Sequence, residues 1–226
     1  MCCVIGALSE ESLISRKQKI LDLFEEGKIR GLHATGVAWH DGERVKASSV
    51  AGPPSNLWPT INLEDVLQSR VLIGHCRYST SSEGFHQPIY DGAKALVHNG
   101  VISQEEPSQW HRQWNYDYKT KNDSEILFHT MSHLGDPSSL SEASLAFLFM
   151  TEDASVVFGR NGERPLWRVF VDGVLYIAST ANILIRALGS VAPIPCPAGM
   201  LFRFSKGSLS SRFFTTKKDL QEKCHV

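Results

Sequence analysis

The chain has 226 residues, enough for one domain with a sizeable core. Lys and Arg number 23 against 24 Asp and Glu, a net charge of −1, so nothing favours a nucleic acid partner, whose phosphates call for a basic excess. The five cysteines (2, 3, 76, 196 and 224) are odd in number and match no disulfide framework. No basic n-region precedes them, and no stretch approaches the ~18–20 apolar residues that span a bilayer. A soluble protein of a reducing, cytoplasmic compartment is expected.

The elements follow in chain order. CCVIGAL reads as a buried strand. Leu13, Ile14, Ile20, Leu21, Leu23 and Phe24 recur at helical spacing, so Glu10 to Glu26 reads as a helix with Ser9 as N-cap and Gly27 as its stop. ATGVAWH and RVKASSVAG form a hairpin turning at Asp41-Gly42. GPPSNLWPTIN, with its three prolines, is a loop, and Ile61 to Ser69 a short helix. VLIGHCRYS and AKALVHNG are buried strands around a polar loop. QWHRQWNYDYK (109–119) covers a pocket, forms a partner surface, or is a helix that packs Trp110 and Trp114 inward. Asp123 to Leu134 is a second amphipathic helix, and Ser141 to Ala146 starts another. LAFLFMTED, ASVVFGR, LWRVFVDG, VLYIAST, MLFRFSKGSL and SRFFTT read as strands, with turns at Asp172-Gly173 and Lys206-Gly207. Ala181 to Gly189 is helical, and KKDLQEKCHV is a solvated tail. Helices combined with many antiparallel strands argue an α+β layered sandwich in a single domain, 1–226.

Several chemistries have no motif here. P-loop, GxGxxG, CxxC, HExxH and G-x-S-x-G patterns do not occur. His75 and Cys76 are neighbours on a strand and face opposite sides, so they make a poor metal pair. No metal and no cofactor is expected. At the N-terminus, a small second residue favours removal of Met1. That would give Cys2 a free α-amine, with a pKa near ~8, beside its own thiol. A thiol next to a built-in base is an activated nucleophile. A buried structural cysteine is the plain alternative. GHCRYST (74–80), LVHNG (96–100) and NDSE (122–125) each put polar groups at the end of an apolar run. Arg77 there needs an anion or carbonyl partner. Asn99-Gly100 is either a hairpin turn or a pair of oxyanion donors. Asp123 is either an N-cap or a binding carboxylate.

Taken in order, MCxxxG, RG-x-x-A-x-G, GH-x-RY-x-T, QP, HNG and NDSE resemble the class II glutamine amidotransferases. These are N-terminal-nucleophile (Ntn) hydrolases, and amidophosphoribosyltransferase and glucosamine-6-phosphate synthase carry such a domain ahead of a synthetase domain. The matches run from residue 2 to about 125, and GRNGERPLW with LYIAST extends them to about 180. The resemblance implies a four-layer αββα sandwich of two mainly antiparallel sheets between helices. It implies L-glutamine as substrate, with Cys2 as nucleophile forming a γ-glutamyl thioester. Asn99 and Gly100 would hold the oxyanion, Arg77 the α-carboxylate and Asp123 the α-ammonium. Thr80 and Ser81 occupy positions that contact the carboxylate, and Arg30 lies near the nucleophile. Cys3 stands where relatives have glycine, and His33 where they often have an acid. Cys3, Cys76 and Cys196 are expected to be structural, and His75 and His98 core histidines. The expected product, ammonia, needs an acceptor, so a separate synthetase-type partner is expected. The alternatives are an Ntn hydrolase of another γ-glutamyl or small amide, and an idle binding or regulatory protein of the same fold.

Overall fold

Strand alternation decides the layering. In β1 (Cys3–Ser9), every residue is buried. Cys3, Ile5 and Ala7 belong to one apolar cluster and Val4 and Leu8 to another, because successive side chains leave opposite faces of a strand. The computed structural model describes residues 1–78, 86–114, 116–140 and 143–214. Within them follow β2 (Ala34–His40), β3 (Val45–Ala51), β4 (Val71–Arg77), β5 (Ile89–Tyr90), β6 (Ala95–His98), β7 (Ala146–Met150) and β8 (Val156–Arg160). The last five are β9 (Trp167–Val171), β10 (Val174–Ala178), β11 (Ile194–Pro195), β12 (Met200–Ser205) and β13 (Ser208–Phe213). The helices are α1 (Lys17–Gly27), α2 (Pro54–Leu57), α3 (Leu63–Gln68), α4 (Pro107–Trp114), α5 (Ser124–Leu134) and α6 (Ala181–Leu188).

Two antiparallel sheets result. The first has seven strands in the order β11-β9-β10-β1-β4-β2-β3, the second six in the order β13-β12-β8-β7-β6-β5. Val4, Leu8, Ile73 and Ile177 of the first meet Val97, Leu148 and Phe158 of the second in a shared cluster. Gly6 lies in this seam; a Cβ there would sit 2.5 Å from Leu148 Cδ2, so glycine lets the sheets close. On the far side of the first sheet, Ile20, Leu23 and Phe24 of α1 and Ile183 and Leu184 of α6 cover Ile5, Ala7 and Tyr176. On the far side of the second, Ile126, Leu127 and Met131 of α5 cover Leu96, Phe147 and Phe149. The layers are helix, sheet, sheet, helix, the α+β arrangement expected.

Several details differ from the sequence expectations. The first helix begins later. Ser9 ends β1, donating its N–H to Arg70 O, and Ser12 accepts from Ile14 N at the start of a 3-10 turn over Leu13–Arg16. α1 ends at Gly27 as expected, but with a right-handed φ of −63° rather than through a left-handed cap. A Cβ there would meet Ile5 Cδ1 at 2.8 Å, so the glycine serves close packing, and the chain continues through a 3-10 turn to Gly31. The proline-rich loop holds α2, with Pro54 at the first helical position, where its missing N–H costs nothing. The helix expected from Ser141 is not seen in its described part: Ala143 to Leu145 run extended into β7, while Ser141 and Glu142 lie outside the described residues. The hairpin turns stand as expected, with Asp172, Gly173, Lys206 and Gly207 all at positive φ. Trp110 is buried under α5 with Trp114 packed beside it, which is the inward-packing alternative. The tail expectation and Cys224 fall outside the described residues.

Gly74 on β4 supports the Phe24 ring, and a Cβ there would lie 2.2 Å from Phe24 Cζ. Gly74→Ala is expected to lower stability by about 1–3 kcal/mol through overpacking. Urea unfolding of that variant, with and without Phe24→Leu, checks this. An unchanged midpoint, or no recovery with the smaller side chain, would contradict the packing described.

Candidate active site

The sequence motifs converge where strands of both sheets end. β1 and β4 pair with Cys3 opposite Cys76, which sets Cys2 beside the end of β4 at Arg77 and Tyr78. The Cys2 thiol points to Tyr78 O at 3.7 Å. Arg30 donates from Nε to Cys2 O at 2.9 Å, and the carbonyl of Cys2 is thereby held. Gly31 lies so close to Arg77 that a Cβ would be 2.2 Å from its carbonyl carbon, so the RG pair seats the Arg30 turn against β4. Val4 N–H finds Ser179 Oγ at 2.9 Å and Ser179 N–H donates to Val4 O, which anchors the first residues beyond Cys2.

The other half comes from the second sheet. Asn99-Gly100 is no hairpin turn. The β6–β7 ladder runs through it, with Asn99 and Ala146 exchanging backbone hydrogen bonds and Val101 bridging Ser144. Gly100 is required here, because a Cβ would lie 1.8 Å from Ser144 O. Asn99 is 3% exposed, and its Nδ2 has no hydrogen-bond partner among the described residues. Asp123 does not cap α5 with its side chain. Its Oδ2 accepts from Ile102 N (2.6 Å) and Ser103 N (3.3 Å), tying the start of α5 to the loop after HNG. Arg77 is half-buried, with NH1 3.5 Å from His86 Nδ1, and no carboxylate pairs with it among the described residues. Thr80 and Ser81 lie outside the described residues.

His98 joins the two ends. Its Nε2 lies 3.1 Å from Ser144 O, a pure acceptor, so Nε2 carries the proton and Nδ1 accepts from Ser124 Oγ at 2.9 Å. Burial holds its pKa below the ordinary value, against the opposing pull of Asp123. His98 is therefore the satisfied core histidine expected. His75 faces the same seam; burial first, then the charges of His98 and Arg77, lower its pKa to about 3, and its Nε2 has no partner among the described residues. Cys3 lies on the helix side of β1, as strand alternation requires, and burial raises its pKa to about 11. Burial also raises the pKa of Cys76, and that of Cys196 to about 12.

Two features were not singled out from the sequence. Gln87, noted there only as part of QP, is 6% exposed and bonds to His98 and Ser124. Ser144 accepts on Oγ from Val101 N and from Arg164 Nε. No sequence signal marks it. Among the described residues, no group of three or more His, Cys, Asp or Glu could hold a metal ion.

No family model matches the chain. It is 25% identical over 208 residues to the glutamine–fructose-6-phosphate aminotransferase (isomerizing) of Xanthomonas campestris pv. campestris, covering 84% of this chain and 33% of that protein. The protein of the same name from Streptococcus pyogenes serotype M6 is 24% identical over 204 residues, covering 82% and 33%. The chain thus spans about a third of the length of these relatives. Among solved structures, glutamine phosphoribosylpyrophosphate amidotransferase from B. subtilis superposes with a TM-score of 0.76 at 22% identity, over 95% of this chain and 49% of that one. A glutamine aminotransferase class-II domain protein from Silicibacter pomeroyi gives a TM-score of 0.61 at 14% identity, over 95% and 100%. These likenesses establish the fold as the Ntn-hydrolase sandwich.

The depressed pKa of His75 makes stability depend on pH. The folded chain keeps this imidazole neutral, whereas the unfolded chain protonates it below about 6.5. Its contribution is therefore present above that pH and lost as the pH falls toward 3. Unfolding free energy is expected to drop by about 1.4 kcal/mol per pH unit across this window from His75 alone. Urea titrations between pH 7.5 and 4 should show a shallower fall for His75→Gln. An equal slope in both chains would exclude the buried neutral imidazole as a cause.

Proposed function

We propose that this chain, a homologue of class II glutamine amidotransferase domains, hydrolyses the side-chain amide of glutamine with Cys2 as nucleophile. The observation that carries this is Asn99: a buried amide, at the strand end facing Cys2's side of the seam, whose Nδ2 lacks a partner among the described residues. A buried unpaired donor costs about 1–3 kcal/mol. A tetrahedral oxyanion is a ligand that would satisfy it.

Removal of Met1 converts the Cys2 backbone nitrogen into an amine with a pKa near ~8, able to take the thiol proton. The thiolate attacks the amide carbon, and the oxyanion is held by Asn99 Nδ2 and Gly100 N–H. The ammonium returns its proton to the leaving nitrogen, ammonia departs, and a γ-glutamyl thioester remains. Water, deprotonated by the same amine, releases glutamate. Losing one oxyanion donor typically costs ~10²–10³ in rate. Arg30 fixes the Cys2 carbonyl and so the direction of the thiol. Arg77 suits the substrate α-carboxylate, since a guanidinium offers two parallel donors. Asp123 takes the α-ammonium, and its carboxylate is already oriented by Ile102 N–H. Thr80 and Ser81 are assigned to the carboxylate with Arg77.

The ammonia is passed to an acceptor outside these 226 residues, on a separate synthetase-type partner. A reducing, cytoplasmic setting fits Cys2, Cys3, Cys76 and Cys196, which form no disulfide among the described residues. No helix among the described residues is long and apolar enough to cross a membrane.

Three measurements test the proposal. Intact mass is expected to lack Met1; a retained methionine would block the amine and favour an idle protein of the same fold. Ammonia release from glutamine should fall at least a thousandfold in Cys2→Ala, and equal rates would remove Cys2 from the chemistry. Asp123→Asn should raise KM for glutamine by about 10–100-fold, the worth of a charge-assisted bond.

A further inference from the structure

Gln87 sits where the two halves of the glutamine site meet. Its side chain is buried and makes three hydrogen bonds. Nε2 donates to His98 O at 3.0 Å and to Ser124 Oγ at 3.2 Å, and Oε1 accepts from His98 N at 2.5 Å. The amide thus pairs with both backbone groups of His98, as a neighbouring strand would. His98 immediately precedes Asn99, and Ser124 immediately follows Asp123. The backbone of Gln87 is itself wedged against β2, where a Cβ on Gly36 would lie 2.0 Å from Gln87 O.

The hydrogen-bond directions form one chain. Gln87 Nε2–H gives to Ser124 Oγ, whose own proton goes to His98 Nδ1, while His98 Nε2–H gives to Ser144 O. Only a side chain with both a donor and an acceptor at its tip fits this position. Glutamate lacks the donor, and an apolar residue lacks both.

We propose that Gln87 is a positioning residue for the glutaminase reaction: it sets the oxyanion donor Asn99 at a fixed separation from the ammonium-binding Asp123. This rests on the glutaminase assignment above. Gln87 acts through His98 and Ser124 and touches no substrate. Glutamine must place its amide carbon at Cys2 and its ammonium at Asp123 together. A shift between the two anchors therefore lowers kcat and raises KM at once. Misplacement of one anchor alone changes mainly one of them.

The test compares Gln87→Glu and Gln87→Met with the wild type, using ammonia release from glutamine between pH 5.5 and 8.5. Thermal unfolding is measured alongside. Both variants are expected to lose 10–100-fold in kcat/KM at pH 8, with changes in both kcat and KM. The ratio of Gln87→Glu to wild type should then rise at least fivefold toward pH 5.5. A buried carboxyl has a raised pKa, and its protonated form regains a donor. The ratio for Gln87→Met should stay flat with pH. Ser124→Ala, which removes both the acceptor of Gln87 Nε2 and the donor to His98 Nδ1, should likewise lower kcat/KM, because the link from His98 to Asp123 runs through this hydroxyl. A Gln87→Glu ratio that is flat with pH, or variants with wild-type kcat and KM, would overturn the inference. Should Gln87→Glu not fold, Gln87→Met and Ser124→Ala are combined: losses that multiply overturn it, and a double-variant loss close to the larger single loss supports it. A wild type that releases no ammonia would overturn the glutaminase assignment and this inference together, whereas an active wild type with flat ratios overturns this inference alone.

Discussion

Val4, Leu8, Ile73 and Ile177 of one sheet press against Val97, Leu148 and Phe158 of the other, and this dry seam holds the two sheets face to face. Everything polar in the candidate site depends on it. The site lies at one end of the seam, where β1 starts and where β4 and β6 finish. Burial of these apolar side chains removes them from water at roughly 25 cal/mol per Å². It also fixes the register that brings Cys2, Arg77 and Asn99 to the same end. A one-residue slip of β1 would turn Cys2 toward the helices and Cys3 toward the seam.

A seam of this kind exacts a condition at its polar end. Groups taken out of water there must be hydrogen-bonded. Most are. Glu125, 2% exposed, accepts from Lys119 N, Thr120 N and Thr120 Oγ1. Asn161 binds Leu145 N and Ala143 O beside β7. Ser179 serves Val4 N–H. Asn99 Nδ2 and His75 Nε2 lack partners among the described residues, and of the two the Asn99 amide is a donor at the end that faces Cys2. The lowered pKa of His75 belongs to the same condition, since burial in the seam disfavours its charged form; on the α5 side, burial lowers that of His98 against the pull of Asp123.

Much of the fold was legible in the sequence because strand and helix periods are local. Continuous apolar runs in CCVIGAL and LAFLFMTED marked buried strands, and Asp-Gly and Lys-Gly pairs marked hairpins. Where the local signal left alternatives open, packing decided between them. Gly27 ends α1, and it is small because Ile5 and two thiols crowd it. Asp123 looked like a cap, yet its carboxylate turned to the Ile102 and Ser103 amides. Asn99-Gly100 carries a turn signature, yet the β6–β7 ladder passes straight through it.

By itself, the sequence determined the order of motifs, the strand–helix pattern and the opposite facing of Cys2 and Cys3, because each depends on spacing along the chain. Only the tertiary structure decided that Arg30 holds the Cys2 carbonyl, that Ser144 locks the His98 tautomer and that Gln87 joins the HNG and NDSE segments. Those contacts link residues far apart in the chain. Their partners are backbone groups, which carry no residue-specific signal, or side chains aimed by sheet register. Such pairings come into being only when the seam closes.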